Sequence, residues 1–127
     1  MWSQPSQTYK MLVVDDEEDF HLFIHTALKE YPVEIKGVYT GREALKQIQE
    51  ERYDLILLDI MMPEGTGGDF MRVVHTQMLS VPPIVVMSSM NDARLVQNVL
   101  STGAVAFILK PIDAVELRDT VRKILNC

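Results

Sequence analysis

Five positions far apart in the chain carry groups that could act together: the adjacent acids Asp15 and Asp16, then Asp59, Ser88 and Lys110. Each follows or ends an apolar run: "MLVV" before Asp15, "LILL" before Asp59, "IVVM" before Ser88 and "AFIL" before Lys110. Closely spaced carboxylates repel one another and are costly unless a cation is present. An all-oxygen set suits Mg2+, which takes octahedral geometry and retains several waters, and Lys110 supplies a second positive charge. Such a site could hold an oxyanion between metal, ammonium and hydroxyl. If one carboxylate is itself the nucleophile, as aspartyl-phosphate chemistry permits, the transferred group has three equatorial oxygens for those partners to stabilise. Asp59 is the most exposed and central candidate. Taken singly, each residue has a plainer role, since acids and serines after strands cap helices and a lysine before a proline is ordinarily solvated. Their recurrence at successive strand exits is the argument for a common site.

The elements that would position them follow from period. Met11 to Val14 reads as a strand that stops at the two acids. Phe20, Ile24, Ala27, Leu28 and Tyr31 then fall at helical spacing, with Glu17, Glu18 and Asp19 in the first turn and Pro32 as the stop. Val33 to Val38 alternates as a strand, and Thr40 can cap a helix that buries Ala44, Leu45 and Ile48. "LILLD" is apolar without alternation, as expected of a central parallel strand covered on both faces. After the glycine-rich "MMPEGTGG" comes a stripe of Phe70, Met71, Val74 and Met78. The strand "IVVMSS" precedes a helix with Ala93, Val96 and Val99 or Leu100 on one side. "GAVAFILK" precedes a last helix with Leu117, Val121, Ile124 and Leu125. Five strand-helix units with short connections predict an α/β fold, a doubly wound five-stranded parallel sheet with helices on both faces. Ligands bind outside the carboxyl edge of such sheets, where these residues would gather.

The chain of 127 residues, 47% of them hydrophobic, can build one core and not two. We expect a loosely attached segment over residues 1–9 and one domain over 10–127. A net charge of −6 gives no positive field for DNA or an anionic membrane. Cys127 is the single cysteine, which excludes an internal disulfide framework and a cysteine-based metal cluster. With neither a signal-peptide pattern nor a membrane-length apolar run, a cytoplasmic protein is expected. His21 and His25 stand one helical turn apart but lack a third ligand, so surface positions are expected. The glycine-rich loop lacks the terminal Lys-Ser/Thr pair of a phosphate loop.

With these elements in place, "LVVDDEE" (12–18), "LILLDIMMPEGTG" (55–67), "IVVMSS" (84–89) and "GAVAFILKP" (103–111) resemble, in order and spacing, the receiver domain of two-component response regulators, including the single-domain chemotaxis type. The resemblance spans about residues 9 to 125. It implies a flavodoxin-like three-layer sandwich of strand order 2-1-3-4-5 with five helices. It marks Asp59 as phosphoacceptor and Asp15, Asp16, Asp59 and the Met61 backbone carbonyl as Mg2+ ligands. Ser88 matches the hydroxyl that contacts the phosphoryl group, Lys110 the lysine that pairs with it, and Phe107 the aromatic switch position. The implied donor is phosphohistidine on a sensor histidine kinase or a histidine phosphotransfer protein. The implied output is a changed surface of the fourth helix, fifth strand and fifth helix, read by a downstream effector or a fused output domain, with homodimerisation through that surface open. Thr66 and Gly68 depart from the family's usual acid and apolar residue, which weakens the start of the third helix. Met61 and Met90 would put apolar side chains where hydrolytic water approaches Asp59, slowing loss of the phosphoryl group.

Two other readings remain: a phosphorylation-independent pseudo-receiver that only binds proteins, and an aspartyl-phosphate hydrolase. The complete set of five residues argues against the first. The second lacks a general acid two residues after Asp59, where Met61 stands, and an insertion to enclose substrate.

Overall fold

The computed structural model describes residues 8–60, 67–77, 80–90 and 93–127. Ten elements alternate along the chain: β1 (Tyr9–Val14), α1 (Glu18–Ala27), β2 (Val33–Val38), α2 (Gly41–Glu50), β3 (Leu55–Asp59), α3 (Gly67–Gln77), β4 (Ile84–Ser88), α4 (Ala93–Thr102), β5 (Ala106–Leu109) and α5 (Ala114–Leu125). The strands pair in parallel in the order β2-β1-β3-β4-β5, the doubly wound topology expected. Pairs such as Val14↔Leu58 and Ser88↔Leu109 align the carboxyl ends at one edge.

The lack of polar alternation in the strands has a direct cause: both faces of the sheet are covered. Leu12, Val14, Ile56, Leu58, Ile84 and Val86 pack with Ala44, Ile48, Phe70, Met71, Val74 and Val99 of α2, α3 and α4. Their neighbours Met11, Val13, Leu55, Leu57, Val85 and Met87 pack with Ile24, Ala27, Leu117, Val121 and Leu125 of α1 and α5. Successive residues thus alternate between two apolar layers rather than between core and water.

Local signals set several element ends. Thr40 caps α2, its side chain accepting from the Glu43 N–H at 3.1 Å, while Glu43 returns a bond to the Tyr39 N–H at 2.9 Å. Asp113 caps α5 through the Val115 N–H at 2.7 Å. β1 opens at Tyr9, inside the segment expected to be loose, because its N–H donates to the Pro32 carbonyl at 2.9 Å. α1 stops at Ala27, so Tyr31 lies beyond it and packs as a partly buried side chain against the α1/α5 layer. Met78, expected on the α3 stripe, and residues 1–7 of the N-terminal segment lie outside the described residues.

Between α4 and β5 the chain turns at Gly103, whose φ of +121° is a conformation that residues with a Cβ rarely adopt. A Cβ there would also meet the His75 imidazole, its Nε2 at 2.1 Å. Gly103→Ala should therefore lose about 1–3 kcal/mol in denaturant unfolding. Adding His75→Ala should recover little of it, because a side chain can move aside and the backbone cannot. Full recovery in the double variant would assign the cost to the ring instead.

Candidate functional site

Backbone hydrogen bonds hold the strand ends in fixed relation. Asp15 N–H donates to the Val38 carbonyl at 3.2 Å, Ile60 N–H to Met87 at 3.0 Å and Lys110 N–H to Ser88 at 2.8 Å. The side chains expected to converge do so: Asp15, Asp16 and Asp59 each offer a carboxylate oxygen, all within 4.8 Å of one another. Asp15 and Asp59 are buried, whereas Asp16 is exposed; Asp59, expected to be the more exposed acid, is enclosed because it is the last residue of the fully buried central strand. Strand alternation assigns Asp15, Asp59 and Lys110 to the α1/α5 layer, in phase with Val13, Leu57 and Ile108.

Lys110, a surface charge by ordinary expectation, has only 14% of its side chain exposed. Its Nζ donates to Asp15 Oδ2 at 2.6 Å and to Asp59 Oδ2 at 3.4 Å, with Glu17 at 3.8 Å. Burial by itself would lower the lysine pKa, but the hydrogen bond to Asp15 and the charges of Asp15 and Asp59 together outweigh it. The ammonium is held above its ordinary value. The Phe20 ring lies 4.4 Å from Nζ, a cation–π contact on the remaining side. The Lys110-Pro111 peptide bond is cis.

The three carboxylates pass a simple test for a hard divalent cation. At about 2.1 Å per bond, opposed ligands of octahedral Mg2+ stand about 4.2 Å apart, close to the observed cluster span, and the exposure of Asp16 leaves room for waters. The site opens into a cleft of about 770 Å³ lined by Asp16, Glu17, Asp59, Ser89 and Lys110 on its polar side and by Phe20, Phe23, Pro111 and Ile112 on its apolar side.

Ser88 is fully buried, and its Oγ accepts from the Met90 N–H at 3.0 Å. Its own hydroxyl hydrogen remains for donation. Phe107 is partly buried against the core layer shared with α4, and Ser88 falls in phase with Ile84 and Val86 of that layer. The Met90 side chain is exposed. Met61 and Thr66 lie outside the described residues, and the backbone of Gly68 lies in α3.

A second expectation is overturned. His21, expected at the surface, is only 6% exposed. Its ring fits against Gly37 of β2, where a Cβ would stand 2.5 Å from Nδ1, and it bonds the Asp15 carbonyl. Its place three residues before Ile24 and seven before Leu28, both buried, was a sign of this, but the room for the ring comes from a strand neighbour. His25 is exposed, as expected. Phe20 had been legible only as part of a core stripe.

The response regulator receiver domain profile matches residues 11–122. The response regulator ArlR of Staphylococcus saprophyticus is 31% identical over 117 residues, which make up 92% of this chain and 52% of that protein. Among solved structures, a two-component response regulator from Clostridium difficile superposes with a TM-score of 0.86 at 29% identity, covering 94% of this chain and 97% of that one. The chemotaxis protein CheY4 of Vibrio cholerae gives 0.84 at 27% identity, covering 93% and 99%. The chain spans between 26% and 52% of the length of the curated relatives it matches. The profile, the five-stranded topology and the carboxylate cluster agree: the chain belongs to the response regulator receiver family and is a phosphoryl-accepting signalling switch.

Proposed function

We propose that Asp59 accepts the phosphoryl group, and that the donor is phosphohistidine on a sensor histidine kinase or a histidine phosphotransfer protein. One observation carries this reading: the Lys110 ammonium stands 2.6 Å from Asp15 and 3.4 Å from Asp59, beside an open cleft. In the transfer, the phosphorus–nitrogen bond of the donor breaks and a bond from phosphorus to an Asp59 carboxylate oxygen forms. The imidazole keeps the electron pair and a proton. Asp15, Asp16 and Asp59, with the Met61 carbonyl, would hold Mg2+, which when bound lowers the repulsion between carboxylate and incoming phosphoryl group. Lys110 neutralises charge on the phosphoryl oxygens.

Acyl phosphate formation brings new acceptor oxygens to the sheet edge. Ser88, turning its hydroxyl toward one of them, vacates space into which Phe107 can rotate. That repacks the face of α4, β5 and α5, where Leu100, Leu109 and Val115 are exposed. A downstream effector or a fused output domain would read this face, and a homodimer could form through it. The receiver unit is taken as residues 10–127. The acidic balance of the chain supports a switch that does not itself bind nucleic acid. Among the described residues no helix is long and apolar enough to cross a membrane, which is compatible with the proposed cytoplasmic location.

Incubation with acetyl phosphate and Mg2+ should add one phosphoryl group by intact mass, and Asp59→Asn, Asp59→Ala or chelation of the metal should abolish the addition. Labelling that persists in the variants would reassign the acceptor. An unmodified wild-type chain, even with a phosphohistidine donor, would favour the pseudo-receiver reading.

A second expectation concerns pH. A cation whose pKa is raised by folding contributes its full stabilisation below the ordinary lysine value of 10.5. That contribution is lost as pH rises through the folded-state value. The stability gap between wild type and Lys110→Met should be constant from about pH 8 to 10 and shift above that, by at most about 1.4 kcal/mol per pH unit, toward the variant. Tyr53, whose pKa is raised by burial, affects both proteins and cancels. A gap that stays flat to about pH 12 would mean that the ammonium gains nothing from its carboxylates.

A further inference from the structure

We infer that His21 is a positioning residue for the acidic pair, fixing the peptide that joins Asp15 to Asp16 and so the direction in which the Asp16 carboxylate leaves the chain. The inference rests on the proposed role of these acids in holding Mg2+. His21 Nε2 lies 2.8 Å from the Asp15 carbonyl oxygen. A carbonyl only accepts, so Nε2 carries the hydrogen and donates it. The Asp15 side chain is held as well, with Oδ1 accepting from the Glu17 N–H at 2.9 Å and Oδ2 from Lys110 at 2.6 Å. With its carboxylate and its carbonyl both held, Asp15 has little freedom left, and the following peptide plane is set by the imidazole.

The surroundings of the ring are built to keep it there. Gly37 gives it room: a Cβ at that position would stand 2.5 Å from Nδ1 and 2.9 Å from Cε1. Tyr39 covers it at 4.5 Å between centroids. The ring therefore ties α1 to the exits of β1 and β2 at the base of the cluster. An imidazole that only filled space would be replaceable by an aliphatic group of similar size. One that positions Asp16 would be replaceable only by a side chain with a donor at the same reach. Glutamine has such a donor and leucine has none, and loss of a partner behind a metal ligand typically costs about 10- to 100-fold in metal affinity.

The test is calorimetric titration of Mg2+ into the whole chain, with thermal unfolding of each variant alongside. His21→Leu should weaken Mg2+ binding about tenfold or more, and His21→Gln should stay within about threefold of wild type. Gly37→Ala, which pushes the ring from its seat, should match His21→Leu, and combining the two should weaken binding no further. Equal affinities for the leucine and glutamine variants, or wild-type affinity in His21→Leu, would overturn the inference. Should His21→Leu fail to fold, Gly37→Ala carries the test, and wild-type affinity there has the same force. Asp16→Asn separates the two levels of the argument. If it abolishes binding while His21→Leu binds as wild type, the acid cluster stands and His21 is structural. If wild type binds no Mg2+, both readings fall.

Discussion

The Lys110 ammonium between Asp15 and Asp59 is the contact around which the edge of the sheet is arranged. Two carboxylates on adjacent strands with little access to water would repel each other and lose part of their hydration. One cation opposes both effects. β5 is not a neighbour of β1 or β3, so the lysine has to reach across the end of β4. The backbone bond from Lys110 N–H to the Ser88 carbonyl fixes its starting point. Ser89 lines the same cleft with a side chain too short to bar the way. The four-carbon stem supplies the remaining reach and brings Nζ over the Phe20 ring.

Alternation along the strands explains why the site has two sides. Asp15, Asp59 and Lys110 share phase with the residues that face α1 and α5, and Ser88 shares phase with those that face α3 and α4. Phe107 packs on Ser88's side. Charge is gathered over one helical layer, while a hydroxyl and an aromatic ring wait over the other. Among the described residues the strand ends are common to both. A change in charge at Asp59 can therefore reach the second layer through the fully buried strands β3 and β4.

Most of this was legible in the chain itself. Strand β2 runs from Val33 to Val38 as its alternation indicates, and Thr40 caps α2 as its type and place suggest. The acids and the lysine meet, with the serine at the adjoining strand end, because short right-handed connections leave parallel strands no other choice of edge. What could not be read is what depends on a partner distant in sequence. Tyr9 joins β1 only because Pro32 offers a carbonyl, and His21 is buried only because Gly37 has no side chain. His21 stands three residues before Ile24 and seven before Leu28, on the buried stripe of α1, but with no third ligand it was read as a surface residue, and the seat for its ring in the neighbouring strand could not be seen. The end of α1 at Ala27 was missed because Tyr31 is apolar at helical spacing, yet it packs against the α1/α5 core layer from the turn beyond the helix.

The two-layer arrangement also bears on how such a protein could diverge. On the proposed function, the donor meets the cleft lined by Phe20 and Phe23 of α1, whereas the output is read from a separate face made by α4, β5 and α5. Each layer has its own apolar interior, and the sheet between them is the shared inheritance. A lineage could recruit a new donor by altering one surface while the other keeps its old listener, so long as the strand ends hold their register. Copies of a duplicated gene could part ways one side at a time, each intermediate still folding and still switching.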